Sequence, residues 1–486
     1  MHPNTDRSPA AVSSFSGRRC ALAPGVVVLL LAATSAGAGH PALTGKEVAE
    51  IDRIVEHALA AGGTPGASVA IERDGRVIYQ KGFGYADLEN RVKVTTETVF
   101  PIGSITKTMT GLAVNQLVAA GRVELDAPVG RYLPDLPAPD RDVPIRFLLD
   151  HLSGIVSYTD VPGFPHDAQM PMSRQDVVGW FASQPLQFRP GTRWSYTNSG
   201  FYLLGLVIEA ASGQSYADYL QAHEFAPFGM AHSSLAPWQV LLPNRAHGYR
   251  RGPNGIENAP RYDPLLPFAA GAVLSTSGDL LRYRRGVFGG GPTPPMLRSA
   301  LLVRDTLPDG FALPYSLGSL VFTEFEGHRR IGHPGDIYGF EAQYSYYPDD
   351  DLTIVILTNN QNAPFPPISI EQKIVRLLLG VAPPTLVDAP LPAAVAARLV
   401  GEYEVEDLRF GFDRIGMDVS DGVLRMAIGG TGAPSFPLRY QGGSRFVSSL
   451  DDEQWVEFAA DGDPVRVRVA FYGAPLALHR VPPAAR

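Results

Sequence analysis

Apolar and polar residues follow two different rhythms along the first part of the chain. Between Thr44 and Ala61 the apolar residues recur every three or four positions, at Val48, Ile51, Ile54, Val55 and Leu59. This spacing predicts an amphipathic helix. Further on, apolar residues alternate with others on both sides of Asp74-Gly75, which predicts a β-hairpin with its turn at that pair.

Helical spacing returns through the middle of the chain. It predicts helices over residues 108–120, 145–154, 173–184 and 201–211. Strand-like apolar runs cover residues 98–100 and 318–322. Residues 101–107 therefore lie where a strand gives way to a long helix.

The pattern changes again near the C-terminus. Residues 381–397 are rich in proline and alanine and are interpreted as a linker. From 398 to 486, short alternating runs are separated by turn residues, which predicts a small antiparallel, barrel-like β-domain.

The N-terminal residues 1–38 are predicted to be an export signal. Arg18 and Arg19 precede an apolar run, and Ala36-Gly37-Ala38 provides small residues for cleavage. The apolar run falls short of the ~20 residues of a membrane span, although an uncleaved anchor remains the alternative. We therefore expect a periplasmic or secreted protein, exported by the twin-arginine route if the paired arginines are its signal, with no stable membrane span after cleavage.

Charge and cysteine content narrow the function classes. The formal net charge is −8 and no basic clusters occur, which argues against a nucleic-acid partner. The one cysteine, Cys20, lies in the export segment, so the mature chain is expected to have neither disulfides nor a thiol nucleophile. Because His-Glu-x-x-His and His-x-His are also absent from the sequence, we predict no metal and no cofactor.

Ser104 and Lys107 form the first candidate site. Ser104 is at the predicted helix start and Lys107 is one turn further along, so both share a face. A serine nucleophile needs a nearby base and is favoured by helix-start N–H groups. Only five of the 41 basic residues are lysines, and lysine, unlike arginine, can lose its proton when buried. The alternative is a surface pair without function.

Two further clusters contain residues suited to catalysis or binding. Tyr196 can serve as an acid or base if a neighbouring lysine lowers its pKa, and Asn198 can bind a substrate amide through both its donor and its acceptor. His333 can donate a hydrogen bond to a substrate carbonyl or carboxylate, and Gly335 lets a ligand approach the backbone. A turn with a buried aromatic and a loop histidine are the alternatives. His151 is interpreted as a packing and capping residue rather than a catalytic one.

Taken in order, the motifs Ser104-x-x-Lys107, Tyr196-x-Asn198 and His333-x-Gly335 resemble those of the serine β-lactamase and penicillin-binding-protein superfamily, in its class C-like branch. The resemblance covers residues 44–380. It implies an α/β fold of the α+β type: an antiparallel sheet flanked by helices plus a helical lobe, with the site between them. The small all-β C-terminal domain resembles the lipocalin-like extensions of some of these hydrolases. It is expected to pack on the catalytic domain or to shape the cleft, and the alternative is a module that binds a ligand or the cell envelope.

The resemblance also implies roles. Ser104 is the nucleophile, and Lys107 and Tyr196 are a coupled proton-transfer pair joined by a hydrogen bond. Asn198 orients the substrate, and the backbone N–H groups of Ser104 and Asp336 form an oxyanion hole.

One position departs from the β-lactamase pattern, because His333 stands where efficient class C enzymes have lysine. Histidine carries less fixed positive charge at neutral pH. We therefore expect a carboxylesterase or a D-amino-acid peptidase or DD-carboxypeptidase, acting on a small-molecule or peptide substrate. A class C-like β-lactamase and a non-catalytic penicillin-binding sensor remain the alternatives.

Overall fold

The computed structural model describes residues 40–486, except 165–171, 183, 238, 253–254, 406–407, 410–413, 431–434, 459–465, 472–473 and 482–486. The predicted export segment, residues 1–38, lies outside the described residues. None of the helices in the described part of the chain is both long and apolar enough to span a bilayer.

The helices of the described residues are α1 Gly45–Gly62, α2 Thr106–Ala119, α3 Ile145–Leu149, α4 Arg174–Phe181, α5 Asn198–Ser212, α6 Tyr216–Leu220, α7 Ala226–Phe228, α8 Phe268–Gly271, α9 Ser277–Phe288, α10 Pro295–Leu301, α11 Pro367–Leu379 and α12 Ala393–Leu399. The strands are β1 Gly66–Arg73, β2 Arg76–Asp87, β3 Val92–Lys93, β4 Phe100–Pro101, β5 Trp194–Ser195, β6 Tyr249–Gly252, β7 Gly255–Asn258, β8 Leu274–Ser275, β9 Val321–Phe325, β10 His328–Ile337, β11 Phe340–Tyr347, β12 Leu352–Thr358, β13 Asn360–Gln361, β14 Gly401–Val405, β15 Leu408–Arg409, β16 Arg414–Ser420, β17 Val423–Ile428, β18 Ser435–Tyr440, β19 Arg445–Ser448, β20 Trp455–Phe458, β21 Arg466–Phe471 and β22 Ala474–Arg480.

A seven-stranded sheet is the centre of the larger domain. Its order is β3-β2-β1-β12-β11-β10-β9, and its neighbouring strands run antiparallel. Successive side chains of a strand point to opposite faces. In β1, Val69 and Ile71 therefore pack with α1 and α11, whereas Ala70 belongs to the core on the other face. Because helices cover both faces, β12 is buried along its whole length.

Helix α2 is enclosed by the helical lobe. Its residues from Thr106 to Asn115 are all buried, and it packs against α5, α8 and α10. Because this part of the helix is buried on every side, its residues do not divide into an apolar and a solvent-exposed polar face. Its N-terminal end faces β10 through a single 3₁₀ turn, Gly103–Ile105.

The C-terminal domain is a closed barrel of β14, β16, β17, β18, β19, β20, β21 and β22. Its interior is filled with apolar side chains, among them Tyr403, Met417, Leu424, Phe446 and Leu478. Strand β15 does not join the barrel. It pairs in parallel with β5 of the larger domain.

Ion pairs fasten the barrel to helix α11. The Arg376 guanidinium donates to both carboxylate oxygens of Glu453, at 2.8 and 3.1 Å, and also to Glu326. One turn earlier, Lys373 pairs with Asp452. Arg376 and Glu453 are almost fully buried. Removal of one partner therefore leaves the other as an unpaired charge in the interface.

The predicted fold class is confirmed: an α+β domain with an antiparallel sheet and a helical lobe precedes an all-β barrel. The first helix and the hairpin are confirmed too, with Thr44 as N-cap of α1. The stretch interpreted as a linker carries part of α12. Pro437 lies within β18 and Pro475 within β22, where each interrupts the alternating pattern.

Arg376→Ala is expected to destabilise the protein by about 1–3 kcal/mol, because it leaves the Glu453 carboxylate buried without its partner. Urea unfolding followed by circular dichroism measures the change. Arg329→Ala is the matched control: its pair with Asp349 is exposed and its loss should leave the midpoint unchanged. Equal midpoints for both variants would contradict a buried interdomain ion pair.

Candidate active site

Ser104 is held at the junction between strand β4 and helix α2. Gly103, directly before it, has φ +51°, and a Cβ there would lie 2.8 Å from the backbone nitrogen of Asp336. Only glycine permits this approach of the two backbones without strain. A Cβ on Gly335 would similarly lie 2.1 Å from the Ile102 carbonyl oxygen. The backbone around Gly335 and Asp336 thereby lies directly against the backbone that leads into the nucleophile.

The Lys107 amine is fully buried and has three uncharged partners. Its Nζ lies 3.0 Å from Ser104 Oγ, 2.8 Å from Asn198 Oδ1 and 2.8 Å from the Ala270 carbonyl oxygen. Burial lowers the pKa of Lys107 well below its ordinary value. In the neutral amine, two N–H groups serve the oxygens of Asn198 and Ala270. The lone pair then faces the Ser104 hydroxyl.

Tyr196 lies on the other side of Ser104. Its hydroxyl is hydrogen-bonded to that of Ser104, and burial raises the pKa of Tyr196 above its ordinary value even though this hydrogen bond lowers it. The Lys107 Nζ is 4.8 Å from the centre of the tyrosine ring. The predicted hydrogen bond from Lys107 to Tyr196 is therefore wrong, because the amine lies over the ring. The condition under which Tyr196 would act as a base, a pKa lowered by a neighbouring lysine, is not met, because burial raises its pKa.

Asn198 begins helix α5 and is fixed on three sides. Its backbone N–H donates to Ser157 Oγ at 3.1 Å, and its Nδ2 lies 3.4 Å from Thr159 Oγ1. Its Oδ1 is the acceptor for Lys107. The amide oxygen is therefore engaged by the lysine, and Nδ2 is the donor that can serve a substrate. Of the two groups through which Asn198 is predicted to bind a substrate amide, the acceptor already has a partner.

His333 is buried and both of its ring nitrogens are engaged. Nδ1 lies 2.6 Å from the Pro334 carbonyl oxygen, which can only accept, so Nδ1 carries the proton. Nε2 then accepts from the Tyr315 hydroxyl at 3.0 Å. Burial and the nearby Lys107 lower the pKa of His333 to about 3. The predicted hydrogen bond from His333 to a substrate is wrong, because a neutral ring with these partners has no donor left.

His151 supports the segment that carries Tyr196. Its ring centre lies 4.3 Å from that of Tyr196 and 4.7 Å from that of Tyr315. Its Nδ1 accepts from the Thr197 N–H at 3.1 Å, and its carbonyl accepts from the Ser195 N–H at 3.0 Å. His151 is fully buried, in agreement with its interpretation as a packing residue.

Three groups of this site have contacts that sequence reasoning did not identify: the Ala270 carbonyl, the Tyr315 hydroxyl and the Thr159 hydroxyl. Any residue has a backbone carbonyl, so the contact of Ala270 cannot be inferred from its residue type. Tyr315 is separated from the third motif by a whole strand and a turn, so the sequence does not indicate that the two meet. Asp336 has an exposed carboxylate that accepts from Gln361 Nε2 at 2.7 Å.

One group of side chains in the described ranges has the spacing of a metal site: Asp87, Glu89 and His247. It includes none of the residues around Ser104. The hydroxyl of Ser104 is instead placed between an amine that can accept a proton and a phenol that can donate one. This arrangement is suited to nucleophilic catalysis by serine.

Comparison with known proteins agrees with this geometry. Residues 51–376 match the family model described as Beta-lactamase. The chain is 28% identical over 328 residues to Protein flp of Staphylococcus aureus (strain MW2), covering 65% of this chain and 64% of that relative's length.

Two solved structures share the fold. The octameric penicillin-binding protein homologue from Pyrococcus abyssi is 24% identical with a TM-score of 0.62, covering 89% of this chain and all of that one. The D-amino acid amidase from Ochrobactrum anthropi SV3 in complex with L-phenylalanine amide is 23% identical with a TM-score of 0.61, covering 69% of this chain and 98% of that one. The family model spans about two thirds of the chain and includes all three motifs, so the chain belongs to the beta-lactamase family of serine hydrolases.

Proposed function

We propose that the protein is an exported serine hydrolase, periplasmic or secreted, that cleaves an ester or amide bond through an acyl-enzyme on Ser104. The observation that carries the proposal is the position of the Ser104 hydroxyl, within 3.0 Å of the buried Lys107 amine and hydrogen-bonded to the Tyr196 hydroxyl. A buried neutral amine can take the serine proton. A tyrosine with a raised pKa remains protonated at neutral pH.

Acylation begins when Ser104 Oγ attacks the substrate carbonyl carbon and its proton passes to Lys107 Nζ. The carbonyl oxygen becomes an oxyanion that accepts hydrogen bonds from the N–H groups of Ser104 and Asp336. Each such donor contributes about 10²–10³ in rate. As the bond to the leaving group breaks, the leaving group takes the Tyr196 proton. The Tyr196 phenolate then regains a proton from water, and Lys107 returns the one it holds to water, so that both groups are neutral again.

Deacylation uses the same two groups. Water attacks the acyl carbon and passes a proton to Lys107 Nζ, and Ser104 Oγ leaves as a hydroxyl with the proton of Tyr196. Exchange with water then restores the neutral amine and the protonated phenol. Asn198 Nδ2 is placed to hold the acyl portion of the substrate, while its Oδ1 keeps the lysine amine in position.

His333 determines the substrate class that we propose. Because it is neutral and both nitrogens are engaged, this position supplies no cation for a substrate carboxylate. Esters and amides without a carboxylate on the leaving group are therefore favoured over penicillins and peptides with a free C-terminus. The structural likeness to a D-amino acid amidase supports amides of D-amino acids within this class. A non-catalytic sensor is disfavoured because the side chains of Ser104, Lys107 and Tyr196 are in contact.

Ser104→Ala is expected to lower kcat/KM for a p-nitrophenyl ester at least about 10³-fold, because no acyl-enzyme can form. Intact-mass spectrometry of the quenched wild-type reaction should show an acyl adduct on Ser104, absent from the variant. The thermal midpoint of the variant is the control for folding. Full turnover by a folded Ser104→Ala protein would contradict the proposal.

Activity should rise with pH through the lowered pKa of Lys107 and level off well below the ordinary lysine pKa, because the reacting form is the neutral amine. Lys107→Arg keeps its proton and should lose about 10²–10⁴ in kcat/KM. Stopped-flow acylation rates from pH 4 to 10 measure both. A profile that starts to rise only near the ordinary lysine pKa would show that Lys107 is not the base.

The enzyme should prefer substrates whose leaving group has no carboxylate. For N-acetyl-D-alanyl-D-alanine and its C-terminal amide, which differ only in that carboxylate, we expect kcat/KM to be at least about 10-fold higher for the amide, since no cation at His333 offsets desolvation of a carboxylate. Chromatographic detection of released D-alanine or D-alaninamide gives both values. A preference for the free acid would refute this assignment of the substrate class.

A further inference from the structure

The backbone of the segment Trp194–Thr197, which carries Tyr196, has two edges. Along one edge the N–H groups of Ser195 and Thr197 donate to the backbone and the ring of His151. Adjacent residues of an extended strand direct their backbone groups to opposite edges. The groups of Trp194 and Tyr196 therefore face the other edge.

Strand β15 of the C-terminal domain occupies that other edge. Leu408 pairs with Trp194, and Arg409 pairs with Ser195, in parallel register. The backbone that leads into the tyrosine is thus held between His151 of its own domain and two residues of the barrel domain.

The barrel does not need this strand for its own closure. Strands β14 and β16 are antiparallel neighbours in which Glu404 pairs with Arg414. Two or three residues suffice to connect such a pair, whereas the chain here uses residues 405–413. Within this connection, strand β15 pairs with β5 of the larger domain.

A second attachment fixes the barrel against the larger domain. The connection between β19 and β20 carries Asp452 and Glu453, which pair with Lys373 and Arg376 of helix α11. The domain that contributes β15 is therefore itself fixed to the larger domain by these ion pairs. A fixed support on both edges limits the movement of the backbone at Tyr196.

We propose that the C-terminal barrel is a positioning element of the active site, which holds Tyr196 against Ser104 through the pairing of β15 with β5. The inference rests on the proposed role of Tyr196 as proton donor. The barrel thereby contributes to turnover through backbone contact, and its loss is felt in kcat more than in substrate binding. Leu408 and Arg409 are positioning residues and not catalytic ones.

The test removes β15 and keeps the barrel. In the full-length protein, residues 406–413 are replaced by Asn-Gly, so that Val405, Asn and Gly form a three-residue hairpin loop between Glu404 and Arg414. The matched control is Leu408→Ala with Arg409→Ala, which keeps the backbone and its N–H groups. Both changes are also made in a Tyr196→Phe background, and kcat, KM and the single-turnover acylation rate are measured with a neutral ester.

We expect the loop replacement to lower kcat at least about 10-fold with KM changed less than about 3-fold, and the alanine control to stay within about 3-fold of wild type. In the Tyr196→Phe background the replacement should change kcat less than about 2-fold, because the residue it positions is already disabled. An unchanged kcat, or an equal loss in both backgrounds, would overturn the inference.

Circular dichroism and gel filtration establish that the shortened chain is folded. If it is not, Leu408→Pro with Arg409→Pro, which removes the ladder N–H groups without shortening the chain, takes its place and the same comparisons decide. Failure of the proposed function has a different signature: Ser104→Ala or Tyr196→Phe would then retain wild-type kcat. Failure of the inference leaves both of those variants impaired while the loop replacement has no effect.

Discussion

The burial of one lysine amine governs the chemistry of this protein. Transfer of an ammonium group from water to a protein interior costs several kcal/mol, and Lys107 has no carboxylate among its three hydrogen-bond partners. Burial therefore favours the neutral amine over the charged ammonium group. Ser104 thereby gains a base that no exposed lysine could provide, since an exposed lysine stays charged at neutral pH.

The surroundings of Lys107 follow from that requirement. Helix α2 is buried along most of its length, and helices α5 and α8 supply Asn198 and the Ala270 carbonyl. The neutral His333 belongs to the same arrangement, because it is buried beside Lys107. Burial therefore lowers the pKa of both groups and removes the positive charge that a substrate carboxylate would need.

The sequence was sufficient to predict which residues lie together in the candidate site. It was not sufficient to predict the hydrogen bonds among them. The order of Ser104, Lys107, Tyr196 and Asn198 along the chain indicated a shared site, because each stands at a strand–helix junction or helix start. The hydrogen bonds depend on groups with no side-chain signature, such as the Ala270 carbonyl, and on the tautomer of His333. That tautomer is set by Tyr315 and by the Pro334 carbonyl, and neither contact follows from residue type.

The fold, too, has elements that the sequence predicts and elements that it does not. Periodic segments such as α1 and the β1–β2 hairpin were predictable, since their apolar spacing records which face is buried. Strand β15 was not, because a two-residue strand that pairs with a strand far away in the chain has no periodicity of its own. The C-terminal domain was predicted as a barrel, but its contact with the tyrosine segment required the structure.

The ionisation of Lys107 is the most direct measurement. The chain has five lysines, so ε-¹⁵N-lysine labelling gives a spectrum simple enough to titrate by NMR, with Lys107→Arg to assign the resonance. The account predicts that Lys107 titrates well below the other four lysines and is neutral at the pH where the enzyme turns over. A Lys107 resonance that titrates together with those of the exposed lysines would contradict it.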